Sequence, residues 1–260
     1  MVFMEERQRE IAELIRKNGK ITIYEIVEKY NVSGESARRD LRLLDENGLC
    51  KRTRGGAITP TQTRMIPPCN RNYDTMPIWE TADAIAKRAA QEVHENDVVY
   101  LTSGSLGYLM LRHLPRDIKY TLVINSVDLA NRLRAWENVE VWLAGGKMRR
   151  SASMVDSMAA EFIKKLHFDL CFITGAGVTA QFGLSNDTEE TATFQRAVVA
   201  NSRKRILLMP GQKVGRIAFI QVCPVDKFDM LISDWEGIED ELAKIGESGV
   251  EVIALEKPAE

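Results

Sequence analysis

The sequence predicts an α/β chain in two domains, a small helix-rich one followed by a larger one of alternating strands and helices. Three observations carry this reading. At 260 residues the chain exceeds the usual domain length of roughly 100–200 residues. Four of its eight prolines (Pro60, Pro67, Pro68 and Pro77) fall within residues 60–77. Proline blocks helix continuation and stiffens a linker, so domains are expected at 1–59 and 78–260 with a linker at 60–77. The apolar pattern also changes there, from helical spacing to short apolar runs separated by helical stretches.

The N-terminal elements follow in order. Ile11, Leu14 and Ile15 give residues 5–18 one apolar face, and Gly19 ends that helix. Thr22-Ile-Tyr-Glu25 has the spacing of a capping box, opening a second helix with Ile26, Val27 and Tyr30. Asn31-Val32-Ser33 is a turn, and Ser33 caps a third helix whose inward face is Ala37, Leu41 and Leu44. Gly48 stops it. Leu49-Cys-Lys-Arg52 and Ala57-Ile-Thr59 can pair as short strands around Gly55-Gly56. This order of elements predicts a winged helix-turn-helix.

The third helix points to DNA. Arg38, Arg39 and Arg42 cannot share the core with Ala37, Leu41 and Leu44, so they project outward near the helix start that such folds place in the major groove. Ser33, Glu35 and Ser36 lie on or before its first turn, and Lys51, Arg52 and Arg54 on the wing. Guanidinium groups suit phosphate oxygens and the guanine edge alike. Residues 38–54 hold six basic side chains and three acidic ones (Asp40, Asp45 and Glu46), so this surface is positive although the chain carries a net charge of −2.

Residues 7–58 resemble the helix-turn-helix of the DeoR family of bacterial regulators. The resemblance rests on Asn31-Val-Ser-Gly-Glu-Ser-Ala-Arg-Arg-Asp-Leu41, then Glu46-Asn-Gly-Leu49 and Arg52-Thr-Arg-Gly-Gly-Ala57. The family usually has Thr-Ile before the paired arginines. Ser36-Ala37 keeps a hydroxyl and an apolar residue there.

The C-terminal part reads as a doubly wound, mostly parallel α/β domain. Runs at 98–101, 120–124, 139–143, 170–173, 206–208 and 230–232 suit buried strands, with helical stretches at 80–94, 105–114, 126–135, 156–166 and 190–203. Ligands of such sheets bind at the carboxyl ends of the strands. Those ends carry Thr102, Ser103, Gly104 and Ser105, then Asn125 and Ser126, Gly145 and Gly146, Gly175 and Gly177, and Lys213 after Pro210-Gly-Gln. Glycine lets amides approach an anion, and lysine neutralises it. A small-molecule pocket is expected on this rim. The Ser151–Ser157 stretch reads as a loop.

The resemblance to the DeoR family continues to about residue 235, through Asn125-Ser126, Gly145-Gly146, Gly175-Ala-Gly177, Asn186-Asp187, Glu190 and Lys213-Val-Gly215. It implies a domain similar to sugar-phosphate isomerases that senses a phosphorylated metabolite, with Asp187 and Glu190 among the ligand contacts. The departures fall on the same loops. Thr102-Ser-Gly-Ser-Leu106 stands where the family usually has Asp-Ser-Gly-Thr-Thr, and Pro210-Gly-Gln-Lys213 where it has Asp-Ser-Ser-Lys. Asp156 replaces a common glycine. An altered effector, or weakened phosphate sensing, is the expectation.

The expected function is a transcription regulator, a repressor of a carbohydrate operon. Its partners are operator double-stranded DNA and a small phosphorylated or anionic effector, and it acts as a homodimer or homotetramer. The alternative is a sugar-phosphate isomerase with an accessory DNA-binding domain, in which Asp187 and Glu190 form an acid/base pair. No apolar run approaches the roughly 20 residues of a membrane span, and the charged start has no secretory character, so the cytoplasm is expected. Cys50, Cys69, Cys171 and Cys223 are scattered and read as reduced thiols. His94, His113 and His167 are isolated, so neither a metal site nor a cofactor is expected. Trp79, Trp136, Trp142 and Trp235 read as core or interface residues.

Overall fold

Helical spacing of Ile11 and Ile15, of Ile26, and of Ala37, Leu41 and Leu44 closes three helices around one core, and all six side chains are buried. The computed structural model describes residues 4–46, 50–53, 55–58 and 80–257. The expected linker, Gly48, Leu49, Arg54, Cys69 and Trp79 lie outside them. The chain divides into two compact units, within Met1–Gln62 and within Thr63–Glu260.

In the first unit, α1 (Met4–Asn18) ends at Gly19, whose φ of 76° is the left-handed conformation that favours glycine. A short strand, β1 (Lys20–Thr22), leads into α2 (Ile23–Tyr30). The capping box is formed: Glu25 Oε2 accepts from the Thr22 N–H at 2.6 Å, and Thr22 Oγ1 accepts from the Glu25 N–H at 3.2 Å. Asn31, at φ 50°, closes α2. Then come α3 (Gly34–Glu46), β2 (Lys51–Arg52) and β3 (Gly56–Ile58). The wing is a three-stranded antiparallel sheet in the order β1-β3-β2. β1 is absent from the sequence reading because only Ile21 marks it. Gly56 is there for space: a Cβ would collide with the Ile21 carbonyl.

Asp40 is corrected by the structure. Its side chain is 1% exposed, accepting from Arg7 Nε at 2.7 Å and Gln8 Nε2 at 2.9 Å. It ties α1 to α3 and does not dilute the positive surface. Removing one member of a buried pair strands the other charge, so Asp40→Ala is expected to cost the unit about 3 kcal/mol. Hydrogen exchange along α1 and α3 would show it as faster opening. Unchanged protection would mean that the pair adds nothing.

The second unit runs α4 (Glu80–Ala90), β4 (Val98–Leu101), α5 (Ser105–Met110), β5 (Tyr120–Ile124), α6 (Val127–Leu133), β6 (Val139–Leu143), α7 (Ser157–Ile163) and β7 (Phe168–Ile173). It continues through β8 (Gly177–Thr179), β9 (Gly183–Asn186), α8 (Glu189–Ala200), β10 (Ser202–Leu208), β11 (Ile220–Cys223), β12 (Met230–Ser233), α9 (Glu239–Glu247) and β13 (Glu251–Ala254). Seven strands form one parallel sheet in the order β13-β12-β10-β7-β4-β5-β6. The chain winds outward from β4 to β6, returns to β7, and winds the other way, so the order reverses between β4 and β7. α4, α5 and α6 cover one face around Ile85, Met110 and Leu129. α7, α8 and α9 cover the other around Ile163, Phe194 and Ile245.

The helix expected at 190–203 stops at Ala200, and Ser202 and Arg203 begin β10 instead. Their polar side chains hid the start of a strand whose Ser202 pairs with Phe168. The helix expected to begin at 80 ends at Ala90 rather than 94. Ser157 belongs to α7 rather than to the preceding loop. A small antiparallel sheet, β11-β9-β8, packs beside the main one.

Candidate functional site

On α3, Arg38, Arg39 and Arg42 are exposed, as is Glu35. The capping is as expected: Ser33 Oγ accepts from the Ser36 N–H at 3.2 Å, and the two hydroxyls lie 3.0 Å apart. Arg52 is exposed on β2, and Arg54 lies outside the described residues. Tyr24, 72% exposed in the first turn of α2, presents a further hydroxyl on this unit. Its place opposite Ile26 on that helix was the signal for it.

In the second unit the order reversal brings together the loops after β4 and β7. Thr102 is buried, and Gly104 lies against Thr174, where a Cβ would sit 3.2 Å from the methyl carbon. Gly175 is buried, and its carbonyl accepts from Lys213 Nζ at 2.8 Å. Lys213 also faces Asp187: burial pushes the Asp187 carboxyl up, and the ammonium pulls it back. The lysine is carried by a single turn, Gly211–Lys213. Asp234, 1% exposed, anchors that turn by accepting the Gly211 N–H at 3.0 Å. A side chain at Gly211 would run into Asp234 and the Glu236-Gly237 backbone. The Thr174 carbonyl accepts from Gln195 Nε2 at 2.8 Å, and Asn186 Nδ2 donates to Gln195 Oε1 at 2.6 Å. Gly104, Gly175, Asp187 and Lys213 are thus brought together at the carboxyl ends of β4 and β7.

The remaining rim residues are placed otherwise. Asn125 is buried with its amide spent within the protein, on the Met154 carbonyl at 2.8 Å and the Tyr100 hydroxyl at 3.1 Å. Ser126 caps α6. Gly145 and Gly146 are exposed after β6, at the sheet's edge. Asp156 occupies the amides there, accepting from Lys147 N–H at 2.8 Å and Ala159 N–H at 3.1 Å, which hold its carboxyl below the usual range. Glu190 is exposed and pairs with Arg149 at 3.3 Å rather than with Asp187. Arg149 also donates to Thr191 Oγ1 at 2.9 Å and Thr188 Oγ1 at 3.4 Å. The sequence reading passed over Arg149 and Gln195, whose partners Thr191 and Thr174 lie 42 and 21 residues away. Burial pushes the Cys50 and Cys223 thiols up to about 11 and Cys171 to about 12, so they stay protonated and unreactive.

No described helix is long and apolar enough to cross a membrane. A winged helix-turn-helix in one unit and loops that meet at the switch point of a parallel sheet in the other define a DNA-binding regulator with a sensor domain. The DeoR-like helix-turn-helix domain matches residues 7–63, and the DeoR C terminal sensor domain matches residues 80–235. The chain belongs to the DeoR family. It is 30% identical to the HTH-type transcriptional regulator GlpR of Haloferax volcanii, over 95% of this chain and 96% of that one. It is 28% identical to the HTH-type transcriptional repressor GlcR of Bacillus subtilis, over 98% of each chain. Against the glycerol-3-phosphate regulon repressor of Escherichia coli the identity is 26%, over 88% of this chain and 90% of that one.

Proposed function

We propose that this regulator represses a carbohydrate-metabolism operon in the cytoplasm, binding operator DNA as a homodimer or homotetramer. A small phosphorylated or anionic metabolite bound among the loops after β4 and β7 releases it. The stripe of Arg38, Arg39 and Arg42, exposed on a helix whose other face is core, carries the DNA half of this reading. These arginines read base edges, with Ser33, Glu35 and Ser36 beside them, while Arg52 and Arg54 hold phosphates. One module contacts too little DNA for selective binding, so paired modules on a repeated operator are required.

For the sensor half, Lys213 and the amides of Ser103, Gly104 and Ser105 favour an anion. The names of the B. subtilis and E. coli relatives favour repression, and the latter a phosphorylated carbon source. The effector releases DNA only by preferring the arrangement that does not bind it. The isomerase alternative needs an acid/base pair, and Glu190 is turned to Arg149 instead.

The test is a titration of phosphorylated sugars, carboxylates and nucleotides against the full chain on DNA taken from beside its own gene. One anionic class is expected to release the DNA. At 100 times its dissociation constant it should raise the melting temperature by roughly 5–10 °C. Turnover of a pentose or hexose phosphate would move the chain to the enzyme class. A melting temperature that no metabolite shifts would leave the second unit as an oligomerisation module.

A further inference from the structure

Among the described residues, β6 is an edge of the seven-stranded sheet and is bonded only to β5. Asn138 accepts the Tyr120 N–H at 3.4 Å and Ala144 donates to the Ile124 carbonyl at 2.8 Å, so these residues face β5. Strand alternation then turns the N–H and C=O groups of Val139, Val141 and Leu143 outward. Large apolar side chains collect on the same edge: Trp142 is 43% exposed, Leu143 39%, Met148 60% and Met158 70%. The Trp142 ring lies 6.4 Å from that of Phe162 on α7. Asp156 holds the Lys147 amide at the start of α7, which ties the segment after β6 to that helix. The exposed apolar area of these side chains comes to roughly 400 Å², with Trp142 on the α7 face of the strand and Leu143 on the other. It is about half of the ~800 Å² that each partner gives a stable interface. The opposite edge, β13, has no large exposed apolar side chain among its described residues.

We infer that β6 and α7 form the contact between two copies of this chain, β6 pairing antiparallel with its counterpart about a two-fold axis at Val141. The edge is complementary to itself. In that register Val139 of each copy faces Leu143 of the other, and Glu140 faces Trp142. The Trp142 indole N–H already donates to Glu140 Oε1 at 2.8 Å within one chain, so the same donor and acceptor meet across the axis. The outer face of α7 and the backbone edge supply the rest of the area. A self-complementary contact through β6 closes at two chains. This interface rests on the proposed homo-oligomer and says where its copies meet.

The test is sedimentation of the full chain without DNA. The parent is expected to be a dimer at micromolar concentration. Trp142→Glu with Met158→Glu should weaken self-association by roughly 100-fold or more. Phe219→Glu, at a side chain 58% exposed elsewhere, should not. Circular dichroism checks that each variant folds. Should the double variant misfold, Met148→Lys with Met158→Lys leaves β6 intact and is expected to dissociate the dimer as well. A monomeric parent, or a folded variant that stays dimeric, overturns the inference. Operator binding is read separately, with the monomeric variant fused to an unrelated dimeriser. Recovery of affinity supports the interface as the pairing device. A dimeric parent and a monomeric variant that both fail to bind operator, fused or not, would sink the regulator reading while the interface stands.

Discussion

Alanine at both Arg38 and Arg39 is expected to weaken operator binding by roughly 100-fold or more while leaving the N-terminal unit folded. Both side chains are exposed, and the α3 residues that hold the core, Ala37, Leu41 and Leu44, are untouched. The single variants separate the roles. A base-reading arginine costs about 1–3 kcal/mol and relaxes sequence preference at one position. A phosphate-bound arginine weakens all sequences alike and lowers the salt slope by about one. Mobility-shift titrations at several salt concentrations, on operator and on scrambled DNA, measure both. Parental affinity in the double variant at matched salt would mean that α3 does not enter the groove.

How much of this was legible in the sequence depended on how local the signal was. The capping box, the inward face of α3 and the outward arginines lie within a few residues of one another, and each is where the spacing places it. Asp40 was misread because its partner Arg7 is 33 residues away, and nothing in the spacing around position 40 marks it as buried. The strand ends were legible as a rim, since a parallel sheet puts all its carboxyl ends on one side. Which loops meet there depends on strand order, and that is decided by packing. β6 is outermost, so Gly145 and Gly146 sit at the edge, while Gly104 and Thr174 touch. Asn125 has the residue type of a ligand contact, but its amide is consumed in fixing the 144–154 loop to β5. The role of Asp156 shows only in the fold, where the carboxylate caps α7 and binds the Lys147 amide.

Lys213→Met is expected to abolish the response to an anionic effector, with affinity falling roughly 10–100-fold for the loss of one charge-assisted bond. The substitution also acts on Asp187. Burial already pushes that carboxyl up, and Lys213 is the group that opposes the shift, so without the lysine it rises further. A carboxyl raised in the folded state contributes stability below its unfolded value and loses it as pH rises through the folded value. Lys213→Met should therefore destabilise the second unit more at pH 7 than at pH 4, and adding Asp187→Asn should remove most of that difference. Denaturant titrations of parent, both single variants and the double variant at the two pH values give the coupling directly. Additive effects at both pH values would show that the two charges do not interact. An effector that binds the Lys213→Met variant as tightly as the parent would place the anion away from Gly175 and the Gly211–Lys213 turn.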